Sequence, residues 1–80
     1  MYELYYSDEF KVDIRNLDYS IQLRLKKAIQ KVLENPTGFK PLQHASNRYR
    51  VRFGVFRLLY KVDGNKVILY RFGNRDSVYD

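Results

Sequence analysis

Cysteine is absent, histidine occurs once and no apolar run is long. Without cysteine there can be no disulfide framework and no thiolate metal site, which fits a reducing compartment. The histidine, His44, sits in the loop "PLQHASN", and no His/Asp/Glu group has metal-ligand spacing. The glycines number only 4 and form no phosphate-cradling loop. Ser7, Ser20, Ser46 and Ser77 have no base–orienter pair beside them, so the usual nucleophile arrangement is missing. The apolar runs fall far short of the roughly 20 residues a spanning helix needs, and the N-terminus lacks a signal-peptide pattern. The expectation is a cytoplasmic protein with no cofactor, no metal and no membrane partner.

Negative charge is also scarce. Lys and Arg number 15 against 9 Asp and Glu, a net of +6. The excess is uneven: residues 1–47 hold seven basic against six acidic side chains, and residues 48–80 hold eight against three. Such asymmetry points to a polyanionic partner: nucleic acid, an anionic membrane surface or an acidic protein segment.

Eighty residues make one domain, 1–80, whose small core relies on its tyrosines and phenylalanines. Met1 to Tyr6 suits a strand, and Ser7 followed by Asp8 and Glu9 reads as a helix start. Phe10, Ile14 and Leu17 recur at helical spacing. Asp18-Tyr19-Ser20 interrupts that pattern and can cap a second helix. Its stripe is Ile21, Leu25, Ala28, Ile29 and Val32, and "ENPTG" ends it. From residue 48 the period becomes two, with Gly54 bending one connection and "DGN" at 63–65 marking a hairpin. The expected fold is α+β, ordered β-α-α-β-β-β, with a helical hairpin on one face of a twisted, mostly antiparallel sheet.

Within "RYRVRFGVFRLLY", Arg48, Arg50 and Arg52 alternate with Tyr49, Val51 and Phe53. If the aromatic parity faces the helices, Arg50 and Arg52 face away, joined from the next strand by Arg57 and Lys61. A solvated sheet face that resists edge pairing would explain this. Against it, arginine stands where lysine would serve solubility, and no carboxylate alternates with it. Arg75 also follows at the end of the sheet. Arginine is the residue for bidentate phosphate contact.

The run "YRVR", then "GVFRLLY", then an apolar strand closing in "GNRDSVY" resembles the RelE/ParE superfamily of toxin–antitoxin toxins. The upstream "SDEFKVDIRNL", the Ile21–Leu33 segment and "ENP" also fit, so the resemblance spans nearly the whole chain. It implies a RelE-like microbial ribonuclease fold. It also implies one of two activities: cutting messenger RNA on the ribosome (RelE branch) or inhibiting DNA gyrase (ParE branch). The RelE-type active-site positions are filled here by Arg50, Arg52, Arg57, Arg75 and Tyr79, which makes a metal-independent endoribonuclease the favoured implication. The alternatives are a gyrase inhibitor and an inactive relative that binds antitoxin or RNA.

That cleavage needs a base for the ribose 2′-OH, positive charge on the phosphorane and an acid for the departing 5′-oxygen. Arg57 and Arg75 suit the scissile phosphate, with Arg50 and Arg52 adding charge there or holding flanking phosphates. A guanidinium stays protonated, so none of the four is a general base. Tyr79 remains for stacking on a base, for proton transfer, or for both. Asn74 stands where many relatives have histidine and can only hydrogen-bond; with His44 it is an accessory candidate. Arg48, Lys61, Lys26, Lys27 and Lys31 are candidates for further contacts to messenger or ribosomal RNA. The resemblance also implies a cognate antitoxin, wrapping the toxin with an acidic or amphipathic segment.

Overall fold

Ser7 begins the first helix as its position in the sequence predicts. Its Oγ accepts from the Phe10 N–H at 3.0 Å and donates to the Tyr70 carbonyl at 3.0 Å. One side chain thus caps a helix and ties it to the far end of the chain. The computed structural model describes residues 1–43 and 45–75. Its elements are β1 (Glu3–Tyr6), α1 (Asp8–Asp13), α2 (Tyr19–Glu34), β2 (Lys40–Pro41), β3 (Arg48–Phe53), β4 (Phe56–Asp63) and β5 (Lys66–Asn74).

The strands form one mixed sheet in the order β1-β5-β4-β3-β2, with β1 parallel to β5 and the other neighbours antiparallel. Both helices pack on one face. Phe10, Leu25, Ala28 and Val32 meet Val51, Leu58, Tyr60, Val67, Leu69 and Phe72 in a single core cluster. Each large apolar side chain fully buried there contributes about 1.5–3 kcal/mol against leaving it in water.

A bulge makes this core possible. Leu58 pairs with Phe72 and Leu59 with Arg71, but Tyr60 pairs with Leu69, so Tyr70 is the extra residue. Leu69 and Phe72 are three apart and would point to opposite faces of a regular strand. The inserted Tyr70 restores both to the helix side.

The sequence extends the first helical pattern to Leu17, whereas α1 ends at Asp13. The cause is at the sheet edge. β1 pairs with β5 only as far as Leu69, and among the described residues no strand pairs with the rest of that edge. Ser7 Oγ serves the Tyr70 carbonyl, and the Asp13 carboxylate accepts from the Phe72 N–H at 2.8 Å and from Arg71 Nε at 2.8 Å. Holding Asp13 at the edge halts the helix, while Ile14 and Leu17 still pack against the core from the following turn. Asp18 stands at the N-cap of α2 without a side-chain capping bond.

Two features of residues 35–47 were not expected. The short β2 pairs Lys40 with Arg50 and Pro41 with Tyr49. Leu42 then packs under Leu59, with Ala45 and Tyr70 beside them, on the face turned away from the helices. The alternation of arginines predicts a cationic, exposed face here; the structure adds a buried apolar patch at its middle.

Tyr60 anchors the preceding loop from within the core. Its hydroxyl donates to the Pro36 carbonyl, and its ring stacks on Tyr49 at 5.4 Å and meets Phe39 edge-on at 6.3 Å. Burial, with a smaller contribution from Tyr49, pushes the Tyr60 phenol well above its usual range.

Tyr60→Phe leaves a buried carbonyl without this donor and is expected to cost about 1–3 kcal/mol, read from the urea midpoint. The native state favours the protonated phenol, whereas an unfolded tyrosine ionises near pH 10. This share of stability is therefore complete below about pH 10 and declines as pH rises beyond it. Midpoints measured across that range should fall less steeply for Tyr60→Phe than for the wild type. Asp13→Ala, which strips both the Arg71 pair and the acceptor for the Phe72 N–H, should lower stability by about 1–3 kcal/mol. Asp13→Asn keeps an acceptor and should recover part of that loss in the same assay.

Candidate active site

The arginine face follows from strand alternation and from one tight turn. Val51 is buried toward the helices with Tyr49 and Phe53 beside it, so Arg48, Arg50 and Arg52 take the opposite parity of β3. Gly54 and Val55 form the two-residue loop into β4, with Gly54 at φ +59°. A positive φ at the first loop residue is the geometry that joins twisted strands tightly, and glycine adopts it without strain. The register then places Arg52 opposite Arg57, Arg50 opposite Leu59 and Arg48 opposite Lys61.

Two of these three cross-strand pairs set like charge against like charge, an arrangement that destabilises a sheet. At the turn end, Arg57 is flanked on its other side by Gly73 of β5, which presents no side chain. The Arg75 amide donates to the Val55 carbonyl at 2.7 Å, bringing the end of β5 to the same turn. Arg50 stands diagonally across from Arg57, with Lys40 beside it on β2. The Nε atoms of Arg50 and Arg57 are buried, while both residues as a whole are half-buried. Arg52, Arg57, Arg50 and the Arg75 backbone therefore gather at one end of the sheet.

Arg48 and Lys61 form a second group at the other end, beyond the Leu42–Leu59 patch. The Arg48 guanidinium lies 4.9 Å over the Tyr70 ring, and Glu9 and Arg71 border the same hollow. Since Arg71 is engaged by Asp13, this second group is the less cationic of the two.

The lysines of α2 are also divided. Lys27 and Lys31 face β3 across a groove that Arg24 shares. Lys26 borders a different, largely apolar groove of about 540 Å³ with Leu4, Tyr6, Leu25 and Ile29. Asn74 pairs with Phe56, on the parity opposite to Arg57. His44 and Tyr79 lie outside the described residues, so the accessory and proton-transfer assignments stay expectations.

Lys40 and Arg24 are basic residues here that the sequence pattern did not single out. Lys40 lies in a loop-like stretch whose pairing depends on β3. Arg24, three residues after Ile21 and four before Ala28, borders the apolar stripe of α2, with nothing local to show that it reaches Phe53. Among the described residues no group of three His, Asp or Glu could hold a metal ion, and no helix is long and apolar enough to cross a membrane.

This architecture is shared with known toxins. A family model for the ParE toxin of the type II toxin–antitoxin system parDE matches residues 4–79. Among curated proteins, no sequence matches the chain significantly. A chain of the intact E. coli RelBE toxin–antitoxin complex is similar at 25% identity and TM-score 0.80, covering 92% of this chain and 96% of that one. One from the RelB–RelE antitoxin–toxin complex of Methanococcus jannaschii is similar at 26% identity and TM-score 0.76, covering 95% of each. The isolated E. coli RelE toxin shares the fold at 24% identity and TM-score 0.82, over 92% of this chain and 84% of that one. The chain belongs to the ParE toxin family, within the RelE/ParE superfamily, and is a toxin of a type II toxin–antitoxin system.

Proposed function

We propose that this toxin is an endoribonuclease that cuts messenger RNA in the ribosomal decoding site. The observation that carries the reading is the direct opposition of Arg52 and Arg57 beside Gly73, with the Arg75 amide fixed at the same turn. Guanidinium forks brought into register from two strands suit bidentate contact with a phosphate and its neighbours.

In this mechanism the ribose 2′-oxygen forms a bond to the adjacent phosphorus and gives up its proton. The bond from phosphorus to the 5′-oxygen then breaks, and that oxygen takes a proton. The products are a 2′,3′-cyclic phosphate and a free 5′-hydroxyl. Arg57 and Arg75 grip the non-bridging oxygens as charge builds on them, and Arg52 and Arg50 add charge or hold the flanking phosphates. Tyr79 is assigned to stacking on a base, to proton transfer, or to both. Arg48 and Lys61 bind flanking RNA, and the basic side chains of α2 contact messenger or ribosomal RNA. The cognate antitoxin neutralises the toxin by laying an acidic or amphipathic segment against it.

The match to a ParE family model favours a second reading, in which the same cationic face docks on an acidic surface of DNA gyrase. Fold does not choose between the two; the chemistry of the site does.

Primer extension on a translated message decides. The wild type should produce cuts on ribosome-bound message, and Arg57→Gln should lower the cutting rate by about 10²–10³-fold, the usual loss for one transition-state donor. Arg57→Lys should fall between them, keeping charge without the bidentate fork. The urea midpoint of Arg57→Gln, measured on the same samples, separates lost cutting from lost folding. No cutting of translated message by folded wild type would reject the nuclease. Inhibition of gyrase in a supercoiling assay would then establish the second reading.

A further inference from the structure

The cationic surface does not stop at the sheet. β2 pairs with β3 only at Tyr49 and Arg50, so among the described residues no strand lies on the outer edge of β3 beyond Arg50. Two hollows adjoin there. One, of about 240 Å³, takes in Lys40, Arg50 and Arg52 with Phe39 and Val51. The other, of about 320 Å³, runs between α2 and β3 and is bordered by Arg24, Lys27, Lys31 and Arg52 over a floor that includes Phe39 and Phe53. Phe39, Val51 and Arg52 border both, so the two hollows adjoin at this edge. Neither hollow is bordered by a carboxylate among the described residues.

Arg24 is placed, not merely present. Its guanidinium lies 5.3 Å from the centroid of the Phe53 ring, and a Cβ at position 54 would come within 2.9 Å of its Nη2. The glycine that makes the β3–β4 turn thus also leaves room for this arginine, at the same end of the sheet as Arg52 and Arg57. Along α2, Arg24 to Lys31 spans about 10 Å at 1.5 Å per residue, room for a short stretch of nucleic-acid backbone.

We propose that single-stranded RNA passing through the arginine site turns over the open edge of β3 and runs along the α2–β3 groove. Arg52 stands at the corner, Arg24, Lys27 and Lys31 hold successive phosphates, and bases lie against Phe39 and Phe53. Cations tracking the backbone beside aromatic faces form the combination that binds single strands without sequence preference. The proposal rests on the reading of the arginine face as an RNA site and adds the route the strand takes from it.

The test is fluorescence anisotropy with fully 2′-O-methylated, uncleavable RNA of about 3 and about 12 nucleotides, one shorter than the site sizes such grooves occupy and one within them. The proteins compared are the wild type and the triple variant Arg24→Ala, Lys27→Ala, Lys31→Ala. The wild type should bind the longer strand more tightly. The triple variant should lose about tenfold on the longer strand and keep its affinity for the shorter one. The slope of log K against log salt should shrink by about 2, from three phosphate contacts at about 0.7 each. Lys27→Ala alone, at an exposed position, should shrink it by about 0.7 and serves if the triple variant does not fold.

An equal loss on both lengths, no loss on either, or no binding of the longer strand by wild type at low salt overturns the groove. So does a triple variant that keeps the longer RNA but loses an acidic polyglutamate peptide, which would make the groove a protein-docking surface. Primer extension on the same samples separates this proposal from the nuclease. Length-dependent binding without cutting rejects the nuclease and upholds the groove, and cutting with length-independent binding does the reverse.

Discussion

The two-residue turn at Gly54–Val55 is the constraint on which the arginine face depends. A turn this short leaves no freedom in how β3 and β4 align, and a slip of one residue would send every side chain on β3 to the other side of the sheet. With the register held, Phe53 meets Phe56 and Arg52 meets Arg57. The same glycine gives Arg24 its place over Phe53, so one backbone conformation organises cations on both sides of the sheet edge.

The sheet that carries these cations is held from several directions. Leu58, Tyr60, Leu69 and Phe72 pack from behind against α2 and Phe10. At the edge of β5, Ser7 and Asp13 supply hydrogen bonds to the Tyr70 carbonyl and the Phe72 N–H. The Leu42–Leu59 patch adds a third support, on the arginine face itself. It also divides that face, leaving the cations near the turn as a group distinct from Arg48 and Lys61.

The family model carries the ParE name, whereas the solved structures above are RelE toxins, and both descriptions fit one scaffold. A small sheet with cations on one side suits any polyanionic target, and the difference between targets lies in a few side chains. Arg57 beside a glycine is a feature that a phosphate would use and that general charge attraction would not require.

Much of the fold could be read from local pattern. The Ser7 cap, the Leu25–Ala28–Val32 stripe and the 63–65 hairpin each depend on residues within a few positions of one another, where periodicity and turn chemistry operate. The arginine alternation belongs to the same class. The early end of α1, the pairing of Lys40 with Arg50 and the bulge at Tyr70 do not, because each is settled by a partner tens of residues away. Asp13 stops the helix only because the Phe72 N–H is waiting for it. Helical spacing sets Lys26 on one flank of the α2 stripe and Lys27 and Lys31 on the other, yet the groove each one borders depends on where α2 lies over the sheet. The sequence by itself determined which residues are cationic, which face of β3 carries them and which family the chain resembles. Which cations meet was decided only by the tertiary structure, because strand register and helix placement are set by long-range packing and hydrogen bonding that no local pattern records.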